Sequence, residues 1–600
     1  MASRTSNGAT RRGGWRRLAA AAVAVAALTF GLVPEVLAGP TGKLDKFLLK
    51  PVSDAPDEAP FRVIVTVRPG AKKGLLRALE AQGVKIGTDF SIVEAFAAEL
   101  PAGLLRALAH HPDVVAVSAD AEVRLSGLTA DVSGTAANSG YTLRRTLGID
   151  TPGLTSPLTG SGVTVAVIDS GIYRAPDFGS RIVKFVDYTD PTATETRDTY
   201  GHGTHVAGIL GGGATEVPGI AKGVRLISLR VLDGLGVGLT SHVISALQWA
   251  TDNRREWALD IVNLSLGHPI YEPAATDPLV QAVEAAVRAG LVVVVSAGNV
   301  GVNPLTGQVG YGGITSPGNA PSAITAGAVR TQDTTRRTDD LVAEYSSRGP
   351  SWYDTYAKPD VVAPGHRVLA TSDQEMFLYQ AFPALRGPSA SRGKEYMYLS
   401  GTSMAAGVTS GAVALMIEAS KRAFGVKPTP NAVKAMLMHT AFPMGDAAGM
   451  PYDVLTQGAG GLNGGGLVAL AAAVDPRVAV GSSWLVSGVA EATAVDGQTI
   501  AWGQNIVWGD NIVWGDAIYT NRTSWASNIV WGDNIVWGDS LRTLTGASNI
   551  VWGDNIVWGD NIVWGDSYGV CGTTGQNIVW GDLASSGAWT TSMSVLTTTR

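Results

Sequence analysis

Cysteine is almost missing from this sequence. Its 600 residues include one, Cys571. A lone thiol excludes an internal disulfide framework, so packing or bound ions must supply the stability. Charge is sparse as well: charged residues make up 16% of the chain and the formal net charge is −6. So mild a balance argues against nucleic acid as the main partner. Outside the N-terminal region no apolar run approaches the ~18 residues of a membrane span. No HExxH segment or Cys/His cluster completes a metal site. What remains is length enough for several domains and, at 45% apolar residues, material for a large core.

The chain opens with Arg4, Arg11, Arg12, Arg16 and Arg17, then the almost wholly apolar Leu18–Val33, then Val36-Leu37-Ala38. A basic start, a short apolar stretch and a small-residue cleavage site describe an export signal over residues 1–38. An N-terminal anchor is the alternative. The arginine pairs raise a twin-arginine route, which the residues after them support poorly.

Three short segments carry the chemistry. They are Val167-Ile168-Asp169-Ser170-Gly171, Gly201-His202-Gly203-Thr204-His205, and Gly401-Thr402-Ser403-Met404-Ala405. A serine hydroxyl attacks well only with a base in hydrogen-bond reach, and that base needs a group to orient it. Thr164–Ile168 is apolar and β-branched and predicts a buried parallel strand ending at Asp169. His202 and Ser403 each precede small residues that predict closely packed helices, and a helix N-terminus at Ser403 offers free N–H groups to an oxyanion. Taken singly, the segments have plainer readings. Asp-Ser-Gly is commonly a turn, Asn299 could be a helix cap, and His202 with His205 could share a metal, although His205 reads better as structural.

The chain order Asp, His, Ser with these flanking glycines resembles the subtilisin-like serine peptidases, the subtilases. The resemblance spans roughly residues 61–475. It extends to Tyr345–Pro350 and Lys358–Gly365. It implies an α/β fold with a parallel sheet between helices in three layers. Asp169, His202 and Ser403 would be the triad of a serine endopeptidase acting on polypeptides. Asn299, in Ser296-Ala297-Gly298-Asn299, and the Ser403 N–H would form the oxyanion hole. Asn263-Leu264-Ser265-Leu266-Gly267 resembles the strand that pairs with extended substrate, so Ser265, Leu266 and Gly267 would face substrate with Ser296, Ala297 and Gly298.

Three departures stand out. Gly407 replaces the proline usual after the nucleophile. Thr371–Leu399 is long and reads as an exposed loop. Ile209–Ala221 is short where many subtilisins have a calcium loop, and Asp177 matches one ligand position of that site, which leaves structural calcium open. The chemistry itself needs no cofactor. The competing function is an inactive surface-binding protein on the same scaffold.

Between the signal and the triad, residues 39–60 read as a linker. Residues 61–125 alternate strand and helix: Arg62–Val67, Gly74–Gln82, two strand-like runs, Ala102–His110 and Asp113–Val117. This split βαβ order resembles the inhibitor I9-like prodomain of subtilases, a ferredoxin-like α+β unit that inhibits its own enzyme, which makes the chain a self-processed zymogen. A small independent regulatory domain is the alternative. Processing is expected between Leu125 and Tyr141, and the peptidase domain over 126–475.

Residues 476–600 are a different material. Asn-Ile-Val-Trp-Gly-Asp occurs eight times, starting at 505, 511, 528, 534, 549, 555, 561 and 577. Thr499–Gln504 is a degraded copy. A period of six keeps strand parity, whereas a helix would rotate the apolar set from copy to copy. Gly-Asp-Asn marks turns. The tail therefore reads as β-rich or partly disordered, a small solenoid or short hairpins. It would serve as a spacer, as a cell-surface or glycan attachment through tryptophan, or as a metal site at its turns; removal on maturation is also compatible. The whole describes a secreted enzyme, with cell-surface association through the tail.

Overall fold

The computed structural model describes residues 42–125, 140–150, 158–303, 306–388, 394–478, 485–486 and 488–503, with short strands beyond. The signal segment, most of the processing stretch and Cys571 lie outside the described residues. The chain divides into two compact units. The first comprises residues 1–122, 239–248 and 271–282, and the second the remainder.

In the first unit, α1 (Lys46–Asp54), β1 (Pro60–Val67), α2 (Lys72–Ala81), β2 (Ile86–Asp89), β3 (Ala95–Pro101), α3 (Ala102–Ala109) and β4 (Val114–Ala119) follow in order. The strands form an antiparallel sheet in the order β2-β3-β1-β4, the expected split topology. Val63 and Val65 of β1 pack with Leu75 and Leu79 of α2 and Leu105 and Leu108 of α3 in one core. The expected linker 39–60 is overturned, because it contains α1. Asp45 caps that helix by accepting from the Leu48 N–H at 2.7 Å and also takes the Ala119 N–H at 2.6 Å. Pro51 inside the helix hid it from the sequence. Segment 239–248 belongs to this unit: Asp120 accepts from the Ser241 N–H and hydroxyl, each at 2.8 Å, and Gln248 accepts the Ser91 N–H.

The second unit is an α/β fold. The chain runs on through β5 (Glu122–Arg124), α4 (Gly140–Thr146), β6 (Thr164–Asp169), β7 (Ile182–Asp187), α5 (His202–Gly211), β8 (Arg225–Arg230), β9 (Val237–Leu239), α6 (Thr240–Asp252), β10 (Leu259–Leu264), α7 (Pro278–Arg288) and β11 (Val292–Ser296), of which most of α6 and the start of α7 belong to the first unit. It continues with β12 (Ile324–Arg330), β13 (Leu341–Val342), β14 (Val361–Pro364), β15 (Val368–Ser372), α8 (Phe377–Ala381), β16 (Glu395–Leu399), α9 (Thr402–Phe424), α10 (Pro430–Thr440), α11 (Val454–Gln457), α12 (Gly464–Ala471), β17 (Ala492–Val495) and β18 (Gln498–Ala501). The main sheet runs β13-β12-β11-β10-β6-β8-β7, with β14 beside β12. Its pairs are parallel except β12 with β13. After β6 the chain builds one side of the sheet through β8 and β7, then crosses to β10 and β11. The order therefore reverses at β6/β10, and the carboxyl ends of these strands frame the crevice where open α/β sheets bind ligands.

Helix α9 is long and apolar enough to cross a membrane, yet Thr402–Ser420 is entirely buried. Glycine makes this burial workable. A Cβ on Gly411 would meet Ile220 Cβ at 2.5 Å, and one on Gly407 would meet the Val206 carbonyl of α5 at 3.3 Å. Gly407 thus marks a close approach of α9 to α5.

Two further expectations change. Thr371–Leu399 is not a simple exposed loop: β15 and β16 form an antiparallel hairpin with Tyr396 and Met397 buried. The tail expected from 476 begins inside the second unit. The β17–β18 hairpin is antiparallel, and Trp502, from the degraded repeat, is a core residue whose indole N–H donates to the Thr493 hydroxyl at 2.8 Å. Beyond it, copies pair in matching register. Ile506 lies opposite Ile529 in parallel strands, as Ile562 does opposite Ile578, while Asn555–Trp558 and Ile562–Gly565 form a hairpin. Both expected forms, hairpin and stacked strands, therefore occur among the described residues.

Candidate active site

The site assembles at the carboxyl edge of the sheet. Asp169 ends β6, and its Oδ1 accepts the Ser170 N–H at 2.7 Å and pairs with His202 Nδ1 at 2.8 Å. Both side chains are fully buried. Gly203 makes the approach of α5 feasible, because a Cβ there would lie 2.2 Å from the Gly171 carbonyl. With Nδ1 committed to Asp169, His202 presents Nε2, which has no hydrogen-bond partner among the described residues.

Ser403 stands in the first turn of α9. Its hydroxyl donates to the Ser265 carbonyl at 3.2 Å, and the Ser265 hydroxyl donates to the Ser403 carbonyl at 3.2 Å. The Ser403 hydroxyl is thus turned toward the end of β10. The reciprocal pair is backed by a buried polar chain in which Ser410 donates to Asn263 Oδ1 and Asn263 Nδ2 to the Ser265 hydroxyl, both at 2.9 Å. A buried amide with both ends satisfied fixes the spacing of α9 and β10.

Asn299 follows β11. Its Oδ1 accepts the Thr402 N–H at 2.9 Å and the Thr402 hydroxyl at 3.0 Å. This orients Nδ2 toward Gly401, where a Cβ would meet it at 3.0 Å. Gly298 holds φ +107° and donates its N–H to the Thr402 hydroxyl at 3.1 Å. Ser296 and Ala297 are buried at the end of β11, and Leu266 lies buried between Ser265 and Gly267. Gly267 exchanges two backbone hydrogen bonds of 3.0 Å with Arg124.

Asp198 escaped the sequence reading. It accepts the N–H groups of Gly201 at 2.7 Å and Thr204 at 2.9 Å and the Thr204 hydroxyl at 2.7 Å, tying down the entry to α5. Burial pushes its carboxyl pKa up against these hydrogen bonds. An acid a few residues before a helix start was the available signal.

The metal reading of His202 with His205 does not fit. His205 Nε2 faces the Val368 and Met397 carbonyls at 3.1 and 3.0 Å, and burial pushes its pKa down to about 3, so the ring is neutral. Calcium at Asp177 fits no better. Its carboxylate accepts the Thr371 hydroxyl at 2.8 Å, and the Arg181 guanidinium occupies the nearby carbonyls, Asp177 at 2.7 Å and Gly211 at 2.6 Å. Among the described residues no group of three or more His, Cys, Asp or Glu is placed to hold a metal ion.

The end of β6 thus carries a buried Asp–His pair, and a helix-borne serine hydroxyl stands beside the end of β10. The Subtilase family profile of the S8 peptidases matches residues 160–463, and this chain belongs to that family. Serine protease AprX of Bacillus subtilis (strain 168) is 37% identical over 47% of the chain, which spans 61% of that relative's length. An extracellular serine proteinase of Thermus sp. (strain Rt41A) is 31% identical over 62% of the chain and 77% of the relative. Fervidolysin of Fervidobacterium pennivorans shares the fold, with a TM-score of 0.52 and 20% identity over 73% of this chain and 64% of its own.

Proposed function

We propose that this chain is a secreted serine endopeptidase, made as a zymogen, in which Asp169, His202 and Ser403 form the triad. The observation that carries the reading is the fully buried 2.8 Å bond between Asp169 Oδ1 and His202 Nδ1. It fixes the tautomer that leaves Nε2 as the base. Ser403 turns from the Ser265 carbonyl, gives its proton to Nε2 and attacks the scissile carbonyl carbon. The resulting imidazolium is stabilised by Asp169 and later protonates the leaving amine. The Asn299 amide and the Ser403 N–H receive the oxyanion. The residue 1–122 part of the first unit is the prodomain and inhibitor. The Thermus relative is described as extracellular, and the N-terminal signal agrees with export. Matching register between repeat copies supports a structural array in the tail, which would also serve for surface or glycan attachment.

Ser403→Ala decides between enzyme and inactive scaffold. Hydrolysis of casein should fall on the order of a million-fold, and labelling by a fluorophosphonate probe should vanish. Wild-type protein that neither labels nor hydrolyses casein would establish the scaffold reading.

A further inference from the structure

We propose that the Tyr200–Phe377 ring pair is the platform that receives the leaving half of the substrate, and that it selects an aromatic residue within the first two positions after the cut. The inference rests on the peptidase reading above and adds a specificity element outside the triad. Phe377 comes from Thr371–Leu399, the stretch whose length departs from the family pattern. Its hairpin is fixed to α5, because His205 Nε2 lies 3.1 Å from the Val368 carbonyl and 3.0 Å from the Met397 carbonyl. The chain between β15 and β16 turns back over the entry to α5. There the Phe377 N–H donates to the Thr199 carbonyl at 3.0 Å and the Leu378 N–H to the Tyr200 carbonyl at 3.1 Å. Met376 is buried against Gly201, where a Cβ would meet the Met376 Cβ at 3.0 Å, and Leu378 is buried too. Between these two anchors Phe377 is 44% exposed. Its ring nevertheless stacks on Tyr200, with centroids 5.7 Å apart and an interplanar angle of 14°. Tyr200 is braced in turn by Gly236, where a Cβ would lie 2.8 Å from the ring. An exposed aromatic group held this firmly gives up little freedom when a ligand covers it.

The platform stands beside the base. Tyr200 precedes His202 by two residues, a backbone span of at most about 7 Å. In the proposed reaction the leaving amine takes its proton from His202 Nε2, so the departing chain begins beside that ring. The acyl half is assigned to the Ser265–Gly267 strand, which leaves the platform to the other half. An extended peptide advances about 3.3 Å per residue, so a side chain among the first two departing residues reaches the rings. Ring against ring is the contact that an exposed, stacked aromatic pair favours. Charge narrows the class further. Asp373 and Glu375 directly precede the anchors, and the Tyr173 N–H donates to the Thr204 hydroxyl of α5 at 2.9 Å. Asp373 above all, then burial, then Glu375 and Glu395 push the Tyr173 pKa up. An acidic side chain entering here meets carboxylates of its own sign.

The test is limited digestion of denatured casein by the full-length chain, with the new N-termini read by mass spectrometry. Phe, Tyr and Trp should occupy the first or second position after the cut about 3- to 10-fold more often than their share of casein, and Asp and Glu less often than theirs. Absence of aromatic enrichment at both positions overturns the proposal. The enrichment is a ratio within one digest and does not depend on how much of the protein is active. It should fall toward the casein share in Phe377→Leu, which keeps apolar bulk without the ring, and return in Phe377→Tyr. Enrichment unchanged in Phe377→Leu assigns the preference elsewhere and overturns the platform. Failure of the peptidase reading looks different, since casein would then survive and Ser403 would resist the fluorophosphonate probe.

Discussion

The two units solve burial by different means. The first is made of amphipathic pieces: α2 buries Leu75 and Leu79, one turn apart, and leaves most of its remaining surface to solvent. Its strands meet in antiparallel pairs, and among its described residues no long element is hidden on every side. The second unit immerses long stretches, including Thr402–Ser420 of α9 and every residue of β6, β10 and β11. Immersion forces polar groups to find internal partners. Asp360, 1% exposed, accepts Lys358 at 2.8 Å, Lys434 at 2.9 Å and the Thr325 N–H at 2.7 Å. Burial outweighs the attraction of Asp360 and pushes the Lys358 pKa down to about 7. An amphipathic unit tolerates local error, whereas an immersed one concentrates its risk in a few buried charges and close approaches.

This contrast fails if the largest perturbation is not confined to the second unit. Asp360→Ala strands two buried ammonium groups and should destabilise that unit by about 3–5 kcal/mol, read as a loss of its melting transition with the first unit's fold preserved by hydrogen exchange. Trp502→Ala tests whether the degraded repeat belongs to the same immersed core. The expected cost is about 3–5 kcal/mol. Truncation after Gly503 should preserve the melting temperature, while truncation after Asp475 should lower it. In the first unit Asp45→Ala should cost only about 0.5–2 kcal/mol, seen as faster amide exchange at the start of α1 and at Ala119.

A further effect concerns pH in the first unit. Burial, and then the Asp277 carboxylate, push Glu272 from 4.5 up to about 8. A folded-state pKa raised above the unfolded one contributes stability that is complete below about pH 4.5 and lost as pH rises through about 8. Asp120 shifts in the same direction through burial. Protection of β4 amides should therefore decline between pH 5 and 8, and Glu272→Gln should flatten part of that decline. An unchanged profile would remove Glu272 from the account.

The sequence exposed what depends on local pattern. The apolar strand ending at Asp169, the glycines around His202 and the strand–helix order of the first unit follow from neighbours along the chain. What escaped depends on partners far away or on a misleading residue. Asn263 joins Ser410 and Ser265 in a network set by how α9 crosses β10. The β15–β16 hairpin pairs across more than twenty residues, and its turn segment gives no compact signal. Pro51 argued against a helix that the Asp45 cap nevertheless starts. Trp502 looked like one more repeat tryptophan, and its place in the core depends on partners far along the chain.

That tryptophan sets a leash length. Gly503 is pinned through its N–H to the Ala441 carbonyl at 2.6 Å, and the first repeat strand begins at Ile506. Three residues span at most about 10 Å. If the array grips a surface, the enzyme is moored rather than tethered, and its working radius becomes its own diameter.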